Sequence, residues 1–198
     1  RYDILHIMSE TACRADLSDG FDCYLSRRSA KLRRSTRNSE RRANERGVSF
    51  ERHAAGTSEE VDAVYARIQA VEQRSWKGIG KCGMNNSPSR EFYAAMLHRM
   101  AARRTSRVIF ARHEDSDIGF ILGGLCDSSP EGSSYRGQQF SFDDEWRSAS
   151  IGSLLQMEQL RWLCEEGVAR YDMGPAMDYK HHWAETQVRF DAIALRPA

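Results

Sequence analysis

The chain has 198 residues, 40% of them hydrophobic, and a formal net charge of +1, which suits one sizeable folded domain or two small ones. Leucine, isoleucine, valine and phenylalanine make up only about 18% of the sequence, yet so low a net charge argues against disorder. No run of about 18 apolar residues occurs, which excludes a membrane-spanning helix, and no secretory leader is visible. The five cysteines form no CxxC pair, so we expect reduced thiols, a cytoplasmic protein and no metal site.

The first predicted elements are a strand at Tyr2–Ile7 and a helix that begins at Phe21 and ends at Gly47. The helix carries large apolar residues only in its first half, because none occurs between Leu32 and Val48. Its second half must therefore be solvated or bound to an anionic partner.

This helix is also the most basic part of the chain. Residues 26–46 contain nine lysines and arginines and two glutamates, a local charge of +7, which leaves −6 for the rest. Arginine suits bidentate contacts with phosphate or carboxylate better than lysine does. Three interpretations of Arg27–Arg46 stay open: a solvated face, a site for an anionic partner such as an acidic carrier protein or a phosphate-bearing molecule, and a nucleic-acid site. The lack of interleaved aromatic residues and the acidic remainder of the chain disfavour nucleic acid.

Two further helices are predicted after a short strand at 48–51. Thr57 and Glu60 have the spacing of a capping box, and the helix that they open ends near Trp76. Pro88 is expected in the first position of the next helix, where its missing N–H costs nothing. The buried stripe of that helix is expected to consist of Phe92, Met96 and Met100.

The second half of the chain changes from helical to strand periodicity. Three short strands joined by turns indicate an antiparallel meander. They lie at 108–111, 118–125 and 135–142. A loop of small residues at 148–152 then opens an apolar helix, and two more strands are predicted at 169–173 and 188–195.

The small-residue loop is the most informative unit of the sequence. Such a loop leaves several backbone N–H groups unpaired at a helix N-terminus, and with the helix dipole these form an anion site that suits a pyrophosphate. Ser148, Ser150 and Ser153 can add hydroxyl donors. The alternative is a serine cap on an ordinary helix.

Five segments carry a resemblance to a known family. They are YLSRRSAKLRRSTRNSERRANERG (24–47), EQRSWKG (72–78), REFYAAML (90–97), FSFDDEWRSASIGSLL (140–155) and ARYDMGPAMDYKHHWAE (169–185). With the order of elements, they make the chain resemble the GNAT acyltransferase superfamily, and within it the CelD-like acyltransferases, which are related to FemAB-type aminoacyl transferases. Only Gly152 matches the latter part of the RxxGxG/A loop of the simple acetyl-CoA enzymes.

The resemblance implies an α/β fold with a strongly bent mixed sheet, in which an antiparallel meander and C-terminal strands are flanked by helices. Residues 21–198 would form the GNAT-like acyltransferase domain. Residues 1–20 would be an N-terminal strand and connector, which we interpret as the remnant of an upstream half.

The implied function is transfer of an acyl group from acyl-CoA, or from an acyl-carrier protein, to an amine. The donor would lie between the fourth and fifth strands, with a backbone N–H near Ser141 or Phe142 holding the thioester carbonyl. The implied donor-binding residues are Ser141, Phe142, Ser148, Ser150, Ile151, Gly152, Ser153 and Leu154. Two alternatives remain, a FemAB-like transferase that uses aminoacyl-tRNA and a non-catalytic binding module with the GNAT fold.

The last of the five segments would supply the chemistry. Asp172 would act as the general base or orient one, Tyr179 would protonate the departing thiolate, and His181 would accept a proton from the ammonium. The bland alternative for Asp172 is a capping or turn residue. The acceptor, a small-molecule or peptide amine, would contact Trp76, Lys77 and Lys180.

Overall fold

The computed structural model describes residues 2–126 and 132–197. Its strands are β1 (Tyr2–Asp16), β2 (Val48–His53), β3 (Ser106–His113), β4 (Ser116–Cys126), β5 (Ser134–Phe142), β6 (Arg170–Pro175) and β7 (Thr186–Pro197). Its α-helices are α1 (Phe21–Ser26), α2 (Ala30–Glu45), α3 (Ser58–Arg74), α4 (Trp76–Ile79), α5 (Ser89–Ala102) and α6 (Ile151–Glu165). Two 3₁₀ helices lie at Asp144–Ala149 and Asp178–His182.

The seven strands form one mixed sheet in the order β2-β3-β4-β5-β6-β1-β7. Neighbouring strands are antiparallel except β5 and β6, which run parallel. The predicted meander of β3, β4 and β5 is confirmed, and β2 extends it by one strand. Parallel pairing of β5 with β6 covers only residues 134–136 against 170–172. Beyond that point the two strands part, and this splay positions the candidate site.

Helices cover both faces of the sheet, as the alternation of side chains along β3 requires. Phe110 faces α3 and α5, where it packs among Val64, Ile68 and Leu97. Ile109 faces the opposite side, where α6 buries a second cluster that includes Leu155. Each such fully buried side chain contributes about 1.5–3 kcal/mol of transfer free energy. The predicted α/β fold, a mixed sheet flanked by helices, is therefore confirmed.

Strand β1 is longer than the sequence predicts. It continues through the expected connector to Asp16, because Ala12, Cys13 and Ala15 are buried between β6 and β7. This part of residues 1–20 thus belongs to the same sheet as the rest of the chain. The interpretation of the segment as the remnant of an upstream half stays a prediction.

The helix boundaries confirm the predicted caps and correct two other expectations. Gly47 ends α2 with a φ of 73°, and both hydrogen bonds of the Thr57–Glu60 capping box are present. The predicted single helix from Phe21 is instead two helices, because Ser29 caps α2 by accepting from the N–H of Leu32. The expected buried stripe of α5 is wrong at Phe92, which is 60% exposed, whereas Met96 does pack against the core. The fully buried residues of this helix are Leu97 and Ala101, one position further along than expected.

Candidate active site

The splay between β5 and β6 opens into two cavities that share a wall. Cavity A, of about 390 Å³, lies against the N-terminal turns of α6 and α2. Cavity B, of about 480 Å³, lies between the parted strands and α4. The residues that line both are Phe140, Phe142, Gln156 and Tyr179. A ligand in one cavity can therefore meet a ligand in the other at these four side chains.

The first turn of α6 presents unpaired backbone donors to cavity A. The N–H groups of Ser153 and Leu154 donate to the carbonyl of Ser150 at 3.0 and 3.1 Å. Within the described residues, the N–H groups of Ile151 and Gly152 have no such acceptor. Since these donors stand at the positive end of the helix dipole, they suit an anion.

Gly152 allows this turn to lie close to β5. A Cβ atom at residue 152 would stand 3.0 Å from the ring of Phe140 and 3.2 Å from the ring of Phe142. The glycine thus lets the helix N-terminus approach the two aromatic rings that separate cavities A and B.

Gln156 is a buried polar residue that the sequence analysis missed. Its side chain is 6% exposed, and its Oε1 accepts a hydrogen bond from the hydroxyl of Tyr171 at 3.3 Å. Its Nε2 is buried and has no hydrogen-bond partner among the residues that the structure describes. An unmade buried hydrogen bond costs about 1–3 kcal/mol, so a donor of this kind facing two cavities points to a ligand acceptor. The available sequence signal was a glutamine within the apolar face of α6.

Tyr179 stands where the two cavities meet. Its ring packs edge-on against Phe140 with centroids 5.6 Å apart. Burial raises the pKa of Tyr179 to about 12, so its hydroxyl remains protonated near neutral pH and can donate. The two histidines that follow Tyr179 in the 3₁₀ helix point in different directions. His182 lines cavity A, whereas His181 is exposed and has its Nδ1 2.9 Å from Nε2 of Gln187. The structure therefore brings Tyr179 to the candidate site and places His181 away from both cavities.

Asp172 lies at the base of the splay and lines neither cavity. Its Oδ1 is 2.8 Å from Nη1 of Arg136 and also accepts a hydrogen bond from the N–H of Gly174 at 2.9 Å. Arg136 and Asp172 are opposite each other in the last paired position of β5 and β6. Their ion pair thus closes the parallel ladder at the point where the strands separate.

Lys77 and Lys180 both reach cavity B. Nζ of Lys77 donates to Oε1 of Gln139 at 3.0 Å and to the carbonyl of Phe140 at 2.8 Å. Nζ of Lys180 donates to the carbonyl of Pro175 at 2.9 Å. Burial lowers the pKa of each lysine, because it removes water from the ammonium group. Trp76, which is 55% exposed, stands at the rim of the same cavity.

The turn from α3 into α4 fixes the direction of Lys77. The Oγ of Ser75 accepts from the N–H of Gly78, and Ser75 and Glu72 are fully buried. A Cβ at residue 78 would lie 2.2 Å from the carbonyl oxygen of Glu72, which only glycine avoids. The EQRSWKG segment is therefore a tight corner that turns Lys77 into the sheet.

The contact of Lys77 also shows which backbone groups of β5 face the splay. The carbonyl of Phe140 points to the open edge, where Lys77 reaches it, whereas the N–H of Asp143 bonds to β4 at Ile118. Backbone direction alternates along a strand, so the N–H of Phe142 faces the open edge with Phe140. Ser141 is buried toward the other side, and its Oγ is unpartnered in the described part of the chain.

Apart from Ser141, the predicted donor-binding residues fall into three groups. Those that line cavity A are Phe142, Ser150, Gly152 and Ser153. The side chains of Ile151 and Leu154 are buried in the core, so only their backbone can meet a ligand. Ser148 lines a separate cavity of about 310 Å³ between α2 and the 3₁₀ helix at Asp144–Ala149.

Some basic residues of this segment form ion pairs with a carboxylate, and others line an open groove. Arg27 and Arg28 both bind the carboxylate of Glu185 at 2.6 Å. Lys31, Arg34 and Arg42 instead line an open groove along α2, and Lys31 also lines cavity A. The groove therefore leads directly to the cavity with the free helix N-terminus.

The described residues include neither a candidate metal site nor a candidate membrane-spanning helix. Between residues 2–126 and 132–197 there is no group of three side chains that could hold a metal ion. In the same ranges no helix is long and apolar enough to cross a membrane.

Comparison with known proteins gives one family and a set of similar folds. The sequence model of the acetyltransferase (GNAT) domain matches residues 30–181. The C-terminal domain of a putative lysylphosphatidylglycerol synthetase from Agrobacterium fabrum is 13% identical, with a TM-score of 0.64 over 100% of this chain and 62% of that one. L-PGS from Bacillus licheniformis is 14% identical, with a TM-score of 0.62 over 98% of this chain and 62% of that one. FemX is 10% identical, with a TM-score of 0.63 over 91% and 61%.

The chain thus spans a little over three fifths of the length of these structures. At such identities the likeness shows the fold alone. No curated protein sequence matches the chain.

Proposed function

Because the chain belongs to the GNAT acetyltransferase family, we propose that it transfers an acyl group from acyl-CoA to an amine where cavities A and B meet. The observation that carries the proposal is the pair of cavities across the β5–β6 splay, with Tyr179 and Gln156 in their common wall. Two cavities on either side of one set of side chains let a donor and an acceptor enter from different sides and meet at that common wall. We assign the donor to cavity A, because it is lined by Gly152, whose N–H has no acceptor among the described residues.

In this assignment, bound acyl-CoA supplies a thioester, and the protein positions and polarises it. The N–H of Phe142 holds the carbonyl oxygen and stabilises the negative charge that develops there. The amine nitrogen forms the new C–N bond and gives a proton to solvent water, while the C–S bond breaks and its electron pair stays on sulfur. Tyr179 donates a proton to that sulfur and recovers one from solvent, so an amide and a thiol result.

The roles predicted for Asp172 and His181 are revised in the same proposal. Asp172 acts as a positioning residue, because its carboxylate is bound by Arg136 and by the N–H of Gly174. Direct proton transfer to Asp172 or to His181 stays a prediction. His182, which lines cavity A, is the histidine that we place nearest the donor.

The groove on α2 supports an acyl-carrier protein as the other possible donor. Lys31, Arg34 and Arg42 would bind its acidic surface, and its prosthetic arm would enter cavity A beside Lys31. The aminoacyl-tRNA alternative would use the same basic groove. A non-catalytic module is less well supported, because it gives no role to two adjacent cavities with a common wall. The CelD-like branch and the cytoplasmic location stay predictions, the latter resting on five free cysteines.

Calorimetric titration with CoA and acetyl-CoA tests the donor site. We expect Gly152→Glu to abolish binding, because a side chain and a negative charge would enter the anion site. Lys31→Glu should weaken binding several-fold in a salt-dependent way, since Lys31 is exposed and its replacement does not disturb packing. Gly56→Glu, in an open loop far along the chain, is the matched control. Unchanged CoA affinity in folded Gly152→Glu and Lys31→Glu proteins would remove the proposal.

A further inference from the structure

Among the described residues that line it, cavity B has two ammonium groups and no carboxylate. Lys77 enters it from α4 and Lys180 from the 3₁₀ helix at Asp178–His182. Every other described residue in its lining is apolar, an amide or a tyrosine. The cavity that we assign to the acceptor therefore carries a concentrated positive charge.

Among the described residues, neither lysine ammonium forms an ion pair with a carboxylate within 4.0 Å, and their hydrogen bonds go to carbonyl and amide oxygens. The charges that act on them from farther away are Glu72 on Lys77, and Asp172 and Arg136 on Lys180. An ammonium has three N–H donors, and the carbonyl and amide contacts use two on Lys77 and one on Lys180. Buried charges are costly unless they are paired, so both groups have a donor and a charge left for a ligand.

We propose that the acceptor is an amine that also carries an anionic group, a carboxylate or a phosphate, and that Lys77 and Lys180 bind this group in cavity B. The inference rests on the proposed acyl transfer and specifies its acceptor. The amine end then points toward Tyr179 and the thioester. Polyamines and other polycations are rejected, because two like charges would be forced against the lysines.

The same two charges assist the chemistry. An alkylamine attacks only when it is neutral, and nearby positive charges lower the pKa of its ammonium form. Lys77 and Lys180 would thus bind the anionic end of the acceptor and favour loss of a proton at its other end. This accounts for a cavity that, in the residues described, offers no carboxylate as general base.

Four small amines with similar skeletons test the inference, with acetyl-CoA as the only donor. They are β-alanine with a carboxylate, 2-aminoethyl phosphate with a phosphate, propylamine with no charged group, and 1,3-diaminopropane with a second cation. We expect kcat/KM for at least one anionic amine to exceed that for propylamine by at least tenfold, with diaminopropane lowest. The ratio between the two anionic amines identifies which anion the site prefers.

Variants of the two lysines connect this preference to cavity B. Lys180→Met and Lys77→Met should each lower kcat/KM for the preferred anionic amine by at least tenfold, and by a larger factor than for propylamine, which lacks the anionic group and shares only the effect on the pKa of the amine. Lys77→Arg should recover part of the loss, because it restores the charge. Lys81→Met, which changes an exposed lysine outside both cavities, is the matched control.

Binding measured without turnover separates the two proposals. Chemical-shift titration of the wild-type protein should show tighter binding of the anionic amines than of propylamine, and both lysine variants should lose that difference. Equal binding and equal turnover of all four amines would overturn the inference and leave acyl transfer intact. Lack of turnover with every amine, despite selective anion binding that depends on Lys77 and Lys180, would contradict the proposed acyl transfer with these acceptors and retain the anion site.

Discussion

Tyr179 is the one titratable side chain among the residues that line both cavities. Its raised pKa keeps the hydroxyl protonated throughout the neutral range, which suits a proton donor and not a base. Sequence reasoning found this residue through the family motif. The sequence analysis named His181 and not His182, because two adjacent histidines give no sign of which side chain faces inward. Their directions depend on the 3₁₀ turn and on the contact of His181 with Gln187 of β7.

Tyr179→Phe should lower kcat by about 100-fold, the lower end of the usual range for loss of an acid catalyst. The affinity for acetyl-CoA should change little, because the ring and its contact with Phe140 remain. Stopped-flow or steady-state rates and calorimetric donor affinity check both parts. A variant with wild-type kcat would show that water protonates the thiolate.

Asp172→Asn should lower kcat by up to about 100-fold through misplacement of the reacting groups. The variant loses the ion pair with Arg136 but keeps an oxygen that can accept from the N–H of Gly174. If Asp172 only positions, the acidic limb of the pH profile of kcat/KM stays, and Arg136→Met adds little further loss in the double variant. Disappearance of that limb in Asp172→Asn would instead restore the role of general base.

At the scale of elements, the sequence predicted the bounds of a helix correctly where residues close in the chain determine them. The capping box of Thr57 and Glu60 fixed the start of α3 by contacts within four residues. In α5 the residues 92, 96, 100 and the residues 93, 97, 101 have the same spacing, and only packing on the core shows that Leu97 and Ala101 are buried most deeply while Phe92 is exposed. The end of β1 could not be predicted for a similar reason. The small residues at 12, 13 and 15 lie in a strand because β6 and β7 pair with it on either side, and the local sequence does not show this.

The two halves of the basic region should respond differently to charge reversal. Arg34→Glu with Arg37→Glu should leave the melting temperature nearly unchanged, because exposed charges contribute little to stability. Arg28→Ala should cost about 3 kcal/mol, because this 8% exposed side chain binds Glu185 and two carbonyl groups. Thermal and urea unfolding check both. A large loss in the Arg34/Arg37 variant would mean that these side chains are structural.

At the scale of the whole molecule, arginine–carboxylate pairs link the two faces and the edges of the sheet. Glu51 on β2 binds Arg67 of α3, and Glu165 at the end of α6 binds Arg52. Hydrogen bonds from these arginines hold the pKa of Glu51 and of Glu165 below the usual 4.5. A sequence with 25 arginines indicates that such pairs exist, but their partners lie far apart along the chain, and only the fold assigns them.

These pairs predict how stability depends on pH. A carboxyl whose pKa is lowered by folding stabilises the protein fully above its unfolded pKa of about 4.5, and that contribution is lost as pH falls through the lower folded value. The free energy of unfolding in urea should therefore be nearly constant from pH 6 to 8 with respect to these groups, and fall steadily below about pH 4.5.

Arg67→Met removes two of these pairs, those of Arg67 with Glu51 and with Asp117, and so tests their part in the acid response. The variant should be less stable at pH 7, and its stability should fall less steeply below pH 4.5, because Glu51 and Asp117 then lose the partner that lowered the pKa of Glu51. Since Glu51 is partly exposed, solvent screens the pair and limits the difference. Arg37→Met, an exposed change on α2, is the control and should keep the wild-type slope. Equal acid slopes for Arg67→Met and the wild type would contradict a lowered pKa at Glu51.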